Sequence, residues 1–167
     1  MIPIRINPVY NEDYSQQWGK IDYKGKTVLD IGASNGDTAD FFLRNGAKEV
    51  IAVEMDFKFY QELVKNAKVI QGIHPVRLMV CRKEDWEVLI QAYRPDVMKS
   101  DCEGCEITLD TISDEILCKV QEYIIEVHSF EIEKTLKLKF EKNGYELVDR
   151  NNWTQSTVSI LYWRKRL

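Results

Sequence analysis

Residues 27–54 read TVLDIGASNGDTADFFLRNGAKEVIAVE, and this stretch decides the fold. An apolar run stops at Asp30. A turn bracketed by Gly32 and Gly36 follows, then an amphipathic segment that closes on Asn45-Gly46, a good C-cap pair. A second apolar run ends on Glu54. Glycine lets the backbone bend sharply and lets a ligand come close. A dinucleotide site would prefer the spacing G-x-G-x-x-G, which delivers a pyrophosphate to a helix N-terminus. Here the spacing is G-x-x-x-G, with Asp30 and Asp37 on either side. Two phosphates would be repelled by these acids; a sulfonium, an ammonium and a ribose would not. Glu54, at the end of the second strand, can accept both ribose hydroxyls. The competing reading is plain chain reversal, with the acids as helix-start residues.

Working outward, strands and helical patterns alternate. KTVLDI reads as a strand, DTADFFLRN as a helix, EVIAVE as a strand, and DFKFYQELVKNAK as a helix with Asp56 as N-cap. PVRLMVC reads as a third strand, DWEVLIQAY as a helix, PDVMKSD as a fourth strand and EITLDTI as a short helix. EYIIEVH is a fifth strand and EIEKTLKLKFEKNG a helix; YELVDR and STVSILYW close as two strands with no helix between them. This alternation predicts an α/β fold, a doubly wound, mostly parallel sheet with helices on both faces and ligands at one edge. The final pair predicts an antiparallel member at the sheet's edge.

The chain has 167 residues, which predicts a single domain over 1–167: an arm over 1–24, aromatic at Tyr10, Tyr14, Trp18 and Tyr23, and a core over 25–163. A hydrophobic content of 44% with 30% charged residues suits a globular protein. The net charge of -4 gives no pull toward nucleic acid, and the basic finish WRKRL reads as a solvated tail. No apolar run is long enough to span a bilayer, and the start lacks the layout of a secretory signal. Cysteines at 81, 102, 105 and 118 predict free thiols in a reducing, cytoplasmic setting. Cys102 and Cys105 form C-x-x-C, but no second paired spacing supplies zinc ligands, so both read as small fillers.

The turn spacing and flanking acids favour S-adenosylmethionine over a nicotinamide cofactor. At this point VLDIGASNGDTADFF, GAKEVIAVE, DVMKSDCEGCE, YIIEVH and FEKNGYELV together resemble the successive motifs of class I methyltransferases of the FkbM type. The resemblance spans about residues 25 to 163; its more specific part is D-x-E-G-x-E on the fourth strand with E-x-H on the fifth. It implies a Rossmann-like sheet of seven strands in the order 3-2-1-4-5-7-6 with the last antiparallel. It also implies S-adenosylmethionine as methyl donor and a hydroxyl acceptor on a small or carbohydrate-like molecule. Carried onto this sequence, Asp30, Gly32, Ala33, Asn35 and Gly36 would form the loop under the methionine moiety. Glu54 would hold the ribose and Met55 would pack on adenine. Asp85 and Trp86 would stand near the adenine amino group, with a core anchor as the other reading of Trp86.

Asp101, Glu103 and Glu106 cluster after the fourth strand, and Glu126 and His128 alternate on the fifth. These strands are expected beside strand one, flanking the methyl group. Methyl transfer from a sulfonium is an in-line displacement, so the protein positions the partners and handles the acceptor's proton. His128 is the first candidate for the base and Asp101 the second, with Asp101 also able to neutralise the donor; Glu103 and Glu126 would fix geometry. A divalent cation such as magnesium or manganese on Asp101, Glu103, Glu126 and His128 is the other possibility. The acids at 103 and 106 could equally belong to a helix N-terminus, and His128 could cap a strand-end carbonyl. Lys99 is odd inside a buried strand and is expected to pair with a carboxylate or lie along an opening.

No N/D-P-P-Y/F motif follows the fourth strand and no Pro-Cys nucleophile appears, which disfavours methylation of nucleobase amines and cytosine carbons. Two alternatives stand beside the O-methyltransferase reading. One is a nucleotide-cofactor oxidoreductase. The other is an inactive methyltransferase-fold subunit, whose site a partner or a second copy would complete.

Overall fold

The computed structural model describes residues 6–9, 13–152 and 158–166. Along the chain come α1 (Tyr14–Gln17), β1 (Thr27–Ile31), α2 (Asp37–Arg44), β2 (Glu49–Glu54), α3 (Phe57–Ala67), β3 (Ile73–Arg77), α4 (Lys83–Tyr93) and β4 (Val97–Ser100). A 3-10 helix over Cys105–Thr111 follows, then α5 (Asp114–Leu117), β5 (Glu122–Val127), α6 (Phe130–Lys142), β6 (Tyr145–Asn152) and β7 (Ser159–Lys165). The strands form one seven-stranded sheet in the order β3-β2-β1-β4-β5-β7-β6. Pairings are parallel from β3 through β5, and β7 runs antiparallel to both of its neighbours. This is the expected Rossmann-like arrangement. One detail differs: β4 alone of the fourth and fifth strands pairs with β1, and β5 lies one strand further out.

Alternation along the strands builds two cores. Leu29, Ile31, Ile51, Val53, Met98, Tyr123 and Ile125 face one side, where Trp86 and Ile90 of α4 and Leu136 and Phe140 of α6 cover them. Val28, Val50, Ala52, Val97 and Ile124 face the other, covered by Ala39 and Phe42 of α2 and Leu63 of α3. On the β5–β7 part of this second side, no long helix among the described residues joins the cluster. The arm does instead: Trp18, Ile21 and Tyr23 are buried there with Ile160 and Tyr162 of β7. The Tyr23 hydroxyl donates to the Trp18 carbonyl at 2.6 Å, which satisfies the one polar atom that ring buries. Tyr10, also expected in the arm, lies outside the described residues.

Asp56 caps α3 as expected, accepting from the Lys58 and Phe59 N–H groups at 2.9 and 3.0 Å. The third strand starts earlier than predicted and ends at Arg77. Asp85 explains the early exit: its carboxylate accepts from the Cys81 and Arg82 N–H groups, turning residues that read as strand into the entry to α4. The short helices α1 and α5 were not predicted, because four residues carry no readable periodicity. Among the described residues, no helix is long and apolar enough to cross a membrane.

Candidate active site

A cavity of about 420 Å³ opens where β1, β2 and β4 end, the edge at which doubly wound sheets bind ligands. The turn after β1 is its floor. Gly32, Ser34 and Gly36 all take left-handed φ values, of 78°, 47° and 93°. The turn is fixed from beneath by a buried cation. Lys99 of β4 is fully buried and donates to the Gly32 carbonyl at 2.8 Å; its ammonium also lies 3.0 Å from Asp30 and 3.8 Å from Asp101. Asp30 in turn accepts from the Thr38 hydroxyl at 2.6 Å. Burial pushes the Asp30 carboxyl up, against Lys99 and Thr38. Burial pulls the Lys99 ammonium down, but Asp30 and Asp101 outweigh it and the net direction is up. We read the pair as ionised, since two carboxylates and a carbonyl converge on one ammonium.

Glu54 ends β2 with both oxygens oriented: one accepts from the Ser34 N–H at 2.8 Å and the other from the Asp56 N–H at 2.7 Å. Each oxygen keeps a lone pair for a ligand. Met55, Phe59, Leu78 and Val80 add an apolar wall. Among the described residues, the charged ones lining the cavity are Asp37, Glu54, Asp56, Asp101, Glu103 and Glu126, all acids.

Beyond the cavity floor the acids crowd. Burial, a hydrogen bond with Asp101 and the charges of Asp101 and Glu103 push the Glu126 carboxyl up to about 9. His128 follows β5 and does not line the cavity. Its Nδ1 sits 2.9 Å from Glu106 and its Nε2 3.3 Å from Glu103 and 3.8 Å from Glu126.

Of the residues expected to contact the cofactor, Gly32, Glu54, Met55 and Asp101 line the cavity. Asp30, Ala33, Asn35 and Gly36 do not; they build the turn from behind. Asn35 donates to the Asn7 carbonyl at 3.1 Å, and Asp37 accepts from the Val9 N–H at 2.9 Å, so the N-terminal segment docks on the back of this turn. Asp85 and Trp86 are corrected. Asp85 is spent on the α4 cap, where burial opposes ionisation but the Cys81 and Arg82 N–H groups and the Arg82 guanidinium hold its pKa below the usual range. Trp86 is fully buried, with its indole N–H on the Thr108 hydroxyl at 2.9 Å, and is a core anchor. Ser34, Phe59 and Leu78 were missed; the turn geometry, the first turn of α3 and the end of β3 bring them to the cavity.

The expectation of four free thiols is also corrected: Cys102 and Cys105 are joined in a disulfide, while Cys81 and Cys118 are free. The bond closes the loop that carries Glu103, directly after Asp101. Replacing both cysteines with serine is expected to cost about 2 kcal/mol, as chain entropy gives for so short a closed loop. Wild-type protein in reductant should show the same denaturation midpoint as the double variant; equal midpoints with and without reductant would argue against the pairing.

No protein-family model matches the chain. Over 130 residues it is 30% identical to Uncharacterized protein 158B of Sulfolobus islandicus rod-shaped virus 1, covering 75% of each protein. Among solved structures, it is similar to a protein of the NADB-Rossmann superfamily from Streptococcus agalactiae, with a TM-score of 0.70 and 18% identity, covering 94% of this chain and 69% of that one. It is also similar to Aeropyrum pernix fibrillarin with natively bound S-adenosyl-L-methionine, with a TM-score of 0.62 and 14% identity, covering 86% of this chain and 68% of that one. These likenesses give the chain the fold of class I methyltransferases; the finer resemblance to the FkbM type is not carried by them.

Proposed function

The chain belongs to the family of protein 158B of Sulfolobus islandicus rod-shaped virus 1, and we propose that it is an S-adenosylmethionine-dependent methyltransferase acting on a hydroxyl of a small or carbohydrate-like acceptor. The observation that carries this reading is a cavity built on a glycine turn and an oriented Glu54, whose charged lining among the described residues is all acid. That lining suits a ligand with a sulfonium and an ammonium, and it disfavours the pyrophosphate of a nicotinamide cofactor. Solved structures of the same fold hold S-adenosyl-L-methionine, which agrees with the choice.

Glu54 would accept the ribose hydroxyls and the apolar wall would take the adenine. Bound S-adenosylmethionine supplies an activated methyl group on a sulfonium. The chain's own work is then positioning and proton handling. Asp101 lines the cavity beside Lys99, which supports it as the group that would receive the acceptor's proton. His128 stands one layer back, so its role passes through Glu103 and Glu126 rather than by direct contact with the acceptor. The acidic mouth also favours an uncharged acceptor over a phosphate backbone.

Glu54→Ala is expected to weaken binding of S-adenosylhomocysteine by about tenfold to a hundredfold, the usual loss for hydrogen bonds to a charged group. Calorimetry on both proteins reads this directly. Equal affinities, or no binding by the wild type, would remove the assignment.

A further inference from the structure

The group around His128 has a donor pattern that methyl-donor binding does not use. Glu106 is buried, at 1% exposure, and its other oxygen already accepts the Gly104 N–H at 3.0 Å. Its remaining contact is His128 Nδ1, at 2.9 Å. A carboxylate can only accept there, so Nδ1 carries the hydrogen, and in the neutral tautomer this leaves the lone pair on Nε2. That nitrogen faces Glu103 and Glu126, and the three ligand atoms lie within 4.8 Å of one another. Among the described residues, no lysine or arginine forms an ion pair with Glu103 or Glu126. Three lone-pair donors converge on one point, and what fits between them is a cation.

We propose that Glu103, Glu126 and Nε2 of His128 bind one divalent metal ion, of the manganese or magnesium type. One imidazole with two carboxylates suits such ions. Glu106 is the positioning residue: a carboxylate on the far nitrogen is the usual partner of a metal-bound histidine, fixing its tautomer and ring orientation. Glu103 and Glu126 both line the cavity, so the metal's open positions face it. A hydroxyl reaching those positions would lose its proton more easily. That last consequence rests on the methyl-transfer reading; the metal site itself does not.

The test titrates the full-length, metal-stripped chain with manganese chloride alone and follows the loss of the free-ion electron paramagnetic resonance signal. One bound ion per chain is expected. His128→Asn and Glu103→Gln should each weaken binding at least about tenfold, and Glu106→Gln by about tenfold to a hundredfold as an outer partner. No binding by the wild type, or binding that the His128 and Glu103 variants leave unchanged, overturns the proposal. Should His128→Asn fail to fold by circular dichroism, Glu103→Gln decides, since that side chain is largely exposed. Calorimetry with S-adenosylhomocysteine on the same wild-type sample separates the two ideas. Manganese binding without the nucleoside keeps the metal and sinks the cofactor; the reverse sinks the metal.

Discussion

Replacing Gly32 with alanine is expected to remove a large share of the protein's stability. A Cβ at this position would overlap the Asp101 carbonyl oxygen and come within 2.7 Å of its carbon. The neighbour is backbone, and it cannot retreat: the Asp101 N–H donates to the Ile31 carbonyl at 3.0 Å, and Lys99 grips Gly32 from below. The left-handed φ of 78° adds about 1–2 kcal/mol for any L side chain. Overpacking adds about 1–3 kcal/mol. Together these are a large share of the ~5–15 kcal/mol that holds a domain folded. Denaturant titration should show the loss, and a change below about 1 kcal/mol would mean that the strands are not this close. Gly32 is therefore a poor probe of ligand binding taken alone, since its loss strikes the scaffold first.

Lys99→Met is the second large effect. It keeps the length and apolar stem of the side chain but strands Asp30, which is fully buried. Breaking one side of a buried pair costs about 3–5 kcal/mol. Burial already pushes the Asp30 carboxyl up, and without Lys99 nothing comparable opposes it. A group whose folded pKa lies above its unfolded one gives stability below the unfolded pKa and loses it as pH rises through the folded value. The variant should therefore be most stable in acid and weaken as pH rises. Adding Asp30→Asn to Lys99→Met should recover much of the loss at neutral pH. A single variant with wild-type stability and no such pH trend would show that the pair is not buried as described.

The glycine turn and Glu54 were readable because strand ends and glycine spacing fix backbone geometry locally. The buried Lys99 announced itself as a charge in an apolar strand, and the partner that answers it is Asp30, which the sequence had assigned to the ligand. Asp85 misled because its job depends on where β3 lets go of the sheet, and that exit is set by the capping bonds of Asp85 itself. His128 was placed by strand alternation, but it follows the end of β5, where alternation no longer fixes side-chain direction. Glu106 is the helix-start acid it read as, accepting the Gly104 N–H in the first turn of the 3-10 helix, and its other oxygen is also the buried partner of His128, which the sequence did not reveal. A C-x-x-C spacing does not distinguish bonded from free thiols.

The placement of Trp18, Ile21 and Tyr23 bears on how the chain matures. These residues leave the ribosome before any strand of the sheet, yet the surface that receives them includes Ile160 and Tyr162 of β7, the last strand to emerge. Their full burial must wait for β7, so the second layer can seal only after all seven strands have emerged. Nascent chains halted before β7 should leave tryptophan fluorescence at position 18 solvent-quenched.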